Sequence, residues 1–146
     1  MAQHENMTAP APWPTRIGIG LILFTSGAWL LGLCFGVPDH LSDSLWPPHA
    51  RFHTLQALLW LVGLNVTITV LALGPVRRAE RWALVLLAVL LVCGQGSYFI
   101  ALTLVPGGGP TEAYANIGSA ISAALYVLGL MAIAFSRPRR RGYTRS

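Results

Sequence analysis

Lysine is absent from this 146-residue chain: every one of its ten basic residues is an arginine. Carboxylates are as scarce, with five Asp and Glu in all, and charged residues make up 10% of the chain against roughly 25% in soluble domains. A soluble globule cannot be covered with so little charge, and hydrophobic residues reach 54%. Cysteine occurs twice and never as CxxC, which leaves no soft-metal or redox motif. Cys34 and Cys93 are expected at depths differing by about 10 Å, too far apart for a disulfide, and are read as two buried small hydrophobes. There is no glycine-rich phosphate loop, no nucleophile elbow and no DNA-binding motif.

What is present is four apolar runs, over 17–36, 54–74, 82–105 and 113–135, without a single Asp, Glu, Lys, Arg or His. Each is about 20 residues or longer, enough to cross a hydrocarbon core of about 30 Å. The expected fold is all-α: an integral membrane four-helix bundle occupying 16–136, with helices over about 16–36, 48–74, 81–105 and 111–135. The first run is read as a retained helix, since it is too long for a signal-peptide core and no small-x-small cleavage site follows. Residues 1–15 form a short tail and 137–146 a basic one.

The arginines orient the bundle. Arg16 precedes helix 1; Arg77, Arg78 and Arg81 lie between helices 2 and 3; five more follow helix 4. The other two loops hold only Arg51 among three carboxylates. The positive-inside rule therefore places both termini and the 2–3 loop in the cytoplasm. The tail "RPRRRGYTRS" is expected at anionic headgroups, at about 1 kcal/mol per basic residue near the surface, and nucleic acid is not an expected partner.

With this topology the polar residues gather in the outer half. His49, His53, Gln56 and Trp60 follow a 4-3-4 spacing and share a face of helix 2. Gln95 and Tyr98 do so on helix 3, and Glu112, Asn116 and Ser119 on helix 4, while the 1–2 loop supplies Asp39, His40 and Asp43. Three stripes are expected to converge on an outer pocket, because polar groups at lipid depth are costly and tend to mark a cavity. Pro47 and Pro48 suit the first turn of helix 2, with Asp43 or Ser44 as candidate caps. Thr111 is a candidate cap for helix 4, with Glu112 in its first turn.

His49, His53, Glu112 and Asp39 are the candidate acid–base groups. Arg51, Gln56, Trp60, Gln95, Tyr98 and Asn116 are the candidate substrate contacts. Arg51 lies roughly 200° around the helix from His53; it either clamps an anion, pairs with Asp43 or reaches to the interface. Gln95, within "CGQGS", either ties helices together or meets a ligand. Trp13, Trp29, Trp46 and Trp82 read as interfacial or packing aromatics. The i, i+4 histidines have chelating spacing, but the intervening glutamate of zinc proteases is missing, no histidine pair spans two helices as haem would require, and no metal or cofactor is expected. No polar stripe continues to the inner side, which disfavours a channel.

The run "WPPHARFHTLQ" resembles a stretch of small, mostly uncharacterised four-helix membrane proteins of bacteria and fungi, in which W-P-P-H-A-R-F-H opens the second helix. The likeness is close over 46–53 and elsewhere only a four-helix pattern. More loosely, the layout resembles the emopamil-binding/sigma-2 receptor superfamily, which includes sterol isomerases, and small bacterial membrane terpene cyclases. Those proteins hold a lipophilic substrate within a helix bundle. Unlike the sterol isomerases, this chain has no acidic residue inside helix 2 or helix 3, so no residue role is carried over from them. The resemblances imply a multi-pass protein of the bacterial plasma membrane that performs proton-initiated cyclisation or isomerisation of a lipophilic, terpenoid substrate. The alternative is a non-enzymatic module that binds a lipid or quinone, or an accessory subunit of a membrane complex. The expected partners are a lipophilic small molecule and membrane lipids, with homo-oligomerisation left open.

Overall fold

The computed structural model describes residues 11–105 and 113–136. They form four helices and no strand: α1 over Trp13–Ser42, α2 over Pro48–Leu71, α3 over Arg81–Leu104 and α4 over Ala113–Phe135. All four are long and apolar enough to cross a membrane.

α1 is longer at both ends than the expected 16–36. Pro14 and Thr15, assigned to the tail, lie in its first turn, where a proline costs nothing because its missing N–H has no helical partner. At the other end the helix runs through Pro38 to Ser42, because the charged run beyond residue 38 needs water but no break in the helix. α2 begins at Pro48, with Pro47 as N-cap in an extended conformation and no side-chain cap. Asp43 closes the turn before it instead, its Oδ1 accepting the Leu45 N–H at 2.8 Å.

α2 ends in a single π-helical turn, Ala72–Val76. Pro75 causes it, since a proline nitrogen cannot donate back one turn and the carbonyl ladder must widen. The chain then reverses with two bonds of a Schellman cap, Glu80 N–H to Pro75 O and Ala79 N–H to Val76 O, both 3.0 Å. Glu80 caps this loop outside the apolar span: it accepts from Arg78 Nε at 3.0 Å and Trp82 Nε1 at 2.7 Å. The two donors hold its carboxyl below the ordinary glutamate range, Arg78 more than Trp82.

The helices run up and down around a ring, each packed on its two neighbours, with no close backbone approach between diagonal pairs among the described residues. The seam of α1 with α4 is the most extensive. It is set by Gly18 and Gly129: a Cβ on Gly18 would lie 2.5 Å from Gly129 O, and one on Gly129 2.9 Å from Gly18 O. Thr15 Oγ1 and Ser136 Oγ hydrogen-bond across the same seam. α1 offers its interior a 4-3 rhythm of Thr15, Ile19, Ile22 and Ser26, all buried. Ile68, Leu71, Ala72 and Val76 of α2, Ala83, Leu87 and Leu91 of α3, and Tyr126 and Ile133 of α4 complete the core.

That core lies toward the end carrying Arg77 and Arg81, here called the arginine end. The outer surface is strongly apolar: Phe24 is 70% exposed, Val85 64% and Val92 66%. A surface of this kind calls for apolar surroundings rather than water, in keeping with four helices long and apolar enough to cross a membrane. Cys34 and Cys93 are free, as expected, but exposed on this surface; they are not core residues, because in lipid a small apolar side chain is as well placed outside a bundle as inside it.

Candidate functional site

Past the core, toward the end opposite the arginines, the bundle opens into a cavity of about 690 Å3, within the usual range of small-molecule sites. α1 contributes Trp29, Leu33 and Val37, spaced i, i+4, i+8. α2 contributes Thr54, Leu58, Leu61, Asn65 and Ile68, again in a 4-3 rhythm on one face. Leu90, Leu91, Gly94, Gln95, Tyr98 and Ala101 line it from α3, and Tyr126 closes it from α4. The walls are predominantly aliphatic, and no Asp, Glu, His, Lys or Arg is among the described lining residues.

Most polar groups at this level are satisfied within the protein. Thr54 and Asn65 bond to carbonyls four residues back on their own helix, as do Thr67 and Thr69; such bonds let hydroxyls and amides sit at lipid depth without a partner helix. Gln95 Nε2 donates to Ser119 O at 3.1 Å and Tyr98 Oη to Asn116 Oδ1 at 2.7 Å, so α3 is tied to α4 twice. Ser26 Oγ and Tyr126 Oη, 3.1 Å apart and buried, tie α1 to α4. Bonds of this type between membrane helices stabilise by about 0.6–2 kcal/mol each. The exception is Trp29, whose indole Nε1 is buried and has no hydrogen-bond partner.

Gln95 and Tyr98 therefore stand in the cavity wall as the sequence suggested, with Asn116 supporting Tyr98 from behind. Gln95 takes the first of its two readings, the interhelical tie, and also lines the cavity. Gly94 lets α2 approach, its absent Cβ lying 3.2 Å from Leu64 Cδ2.

The histidine stripe goes elsewhere. His49, His53 and Gln56 are exposed, and Trp60 is 76% exposed and borders a separate shallow groove on the outer side of α2 with Gly63 and Thr67. None of the four lines the cavity. Instead they satisfy one another: His49 Nε2 and His53 Nε2 are 3.0 Å apart, and His53 Nδ1 is 3.3 Å from Gln56 Oε1. Near a helix end such side chains reach the interface at little cost, so the bundle turns its apolar face inward and leaves them outside. The two imidazoles alone make an incomplete transition-metal site; no group of three or more His, Cys, Asp or Glu converges among the described residues.

Arg51 is the residue that the helical phase of α2 directs to the interior, one turn beyond Thr54 and on the stripe that continues through Leu58, Leu61 and Asn65. It is half-buried, and its Nε is buried without a partner. The pairing with Asp43 does not form. Glu112 and Thr111 lie outside the described residues, as do the side chains of Asp39 and His40.

Trp29, Tyr126, Thr54 and Asn65 are cavity residues that reading the sequence missed. Asn65 carried the usable signal. It lies nine residues from Gln56, half a turn away around α2, and an amide so deep in lipid must face protein; that alone selects the face of Arg51 over the face of His53. Compared with known proteins, the chain matches no family model, no curated protein and no solved structure.

Proposed function

We propose that this protein is a membrane-embedded binding module for a lipophilic small molecule, held in the cavity between α1, α2 and α3. The buried, unpartnered indole N–H of Trp29 in a predominantly aliphatic cavity carries this reading: a buried donor without an acceptor is costly, and a bound molecule with one oxygen along an apolar body removes that cost. The likeness to membrane proteins that hold lipophilic substrates points the same way. In the orientation that keeps the arginines in the cytoplasm, the cavity belongs to the outer half of a bacterial plasma membrane.

The catalytic alternative, proton-initiated cyclisation or isomerisation of a terpenoid, requires an acid beside the substrate. The ionisable groups among the described cavity residues are Tyr98 and Tyr126, and phenols are weak acids. Binding therefore ranks above catalysis, and His49 and His53 drop from catalytic candidates to interfacial ones.

The test is a lipid extract of protein purified from its native membrane. One equivalent of an unchanged lipophilic molecule is expected, retained in His53→Ala and lost in Leu61→Trp, which fills the cavity while the protein keeps its helical circular dichroism. Recovery of a chemically converted product, or loss of the ligand in His53→Ala, would return the histidines to the site. No ligand above the detergent background from the unaltered protein would end the proposal.

A further inference from the structure

Resting on that binding reading, we infer that the bound molecule is an anionic amphiphile, whose carboxylate or phosphate head pairs with Arg51 while its tail descends into the cavity.

The described residues contain two buried side-chain nitrogens without a partner, Trp29 Nε1 and Arg51 Nε. Both are donors, and arginine is never an acceptor. What completes them is therefore an acceptor in each case, and no unsatisfied buried acceptor accompanies them. For Arg51 an acceptor that carries charge suits best, because a hydrogen bond between guanidinium and anion is stronger than one to a neutral group. Among the described residues no carboxylate pairs with it: the ion pair formed there joins Arg78 to Glu80, and Asp43 turns its Oδ1 to the Leu45 N–H.

Position adds direction. Arg51 stands in the first turns of α2, its own N–H bonded to Pro47 O at 3.2 Å, above the stripe of Thr54, Leu58, Leu61, Asn65 and Ile68. Side chains on a helix tilt toward its N-terminus, so the guanidinium reaches toward the cavity mouth and the membrane surface. A charged head belongs at that level and an apolar tail below it. His49 and His53, roughly 200° around the helix, point away from the head, and both nitrogens of His53 are already engaged. A planar guanidinium with a free edge suits the two oxygens of a carboxylate or phosphate.

The experiment titrates the purified protein, in neutral detergent, with three probes that share one oleyl tail: oleate, oleyl phosphate and oleyl alcohol. Binding is read calorimetrically and as a rise in melting temperature. Both anions are expected to bind about tenfold or more tightly than the alcohol, the usual advantage of a charged hydrogen bond. Arg51→Gln should erase that advantage, and Arg51→Lys should keep part of it. Equal affinity for all three probes, or an advantage that survives Arg51→Gln in a protein of normal melting temperature, would overturn the anion assignment and leave the cavity as a neutral site. Failure of all three to bind the unaltered protein would overturn the binding reading itself. Nanodiscs with and without phosphatidylglycerol separate the sources: if that lipid displaces oleate the head belongs to a membrane lipid, and if it does not the ligand is a single-tailed anion, the Arg51 pairing standing in both outcomes.

Discussion

Ala79 has a φ of 64°, the left-handed conformation that glycine normally supplies at the end of a Schellman cap. An alanine there is strained by about 1–2 kcal/mol, partly offset because alanine loses less freedom than glycine on folding. Ala79→Gly is accordingly expected to raise the melting temperature, with a gain of up to about 1 kcal/mol; a lower melting temperature would mean that the loop relaxes around alanine. The same attention to single residues separates Gln95 from His53. Both are polar and both were legible in the sequence as candidates. Gln95 has its place because "CGQGS" lies where no interface is within reach and the amide must find protein, which it does at Ser119 O. His53 lies close enough to the helix end to choose water, His49 and Gln56. Depth, not polarity, decides whether a residue marks a site.

At the scale of elements, the bundle depends on the crossing of α1 and α4. The two backbones meet at Gly18 and Gly129, where even one methyl group would strike a carbonyl oxygen that cannot move. Gly129→Val is expected to cost about 1–3 kcal/mol through overpacking and to separate the helices, exposing the Ser26–Tyr126 bond. Gly20, on α1 with open space around its missing Cβ, is the control: Gly20→Ala should melt at or above the temperature of the unaltered protein. Similar losses from both variants would show that helix propensity, not the crossing, is responsible. Neither glycine stands out in the sequence among fifteen, since a glycine that allows contact and one that merely lies in lipid have the same neighbours along the chain. The π-turn at Pro75 is similarly the local consequence of a proline whose helical context only the fold supplies.

For the molecule as a whole, the expected topology places the arginine end in the cytoplasm. A reporter fused after Ser146 should be cytoplasmic and one inserted within Gly107–Gly109 external; the reverse pattern would transfer the cavity to the inner leaflet. Four membrane helices, their approximate ends and this asymmetry of arginines were readable from residues alone, because lipid selects for length, apolarity and charge placement, all of which are properties of the linear chain. A pocket in one half of the bundle was expected too, and Gln95 and Tyr98, named for it, line the cavity there, while Asn116 supports Tyr98. Which face of α2 turns inward was not readable. The stripes of His53 and of Arg51 have equal claims in sequence, and the conspicuous histidines favoured the wrong one for a cavity. Only packing broke the tie: the stripe of Leu58, Leu61, Asn65 and Ile68 turns toward the cavity with α1 and α3, and that rotation leaves Trp60 on the outer side of α2. A helix in a membrane gains little from hiding apolar surface, so its rotation is decided by shape and by deep hydrogen bonds, and these exist only once all four helices are in place.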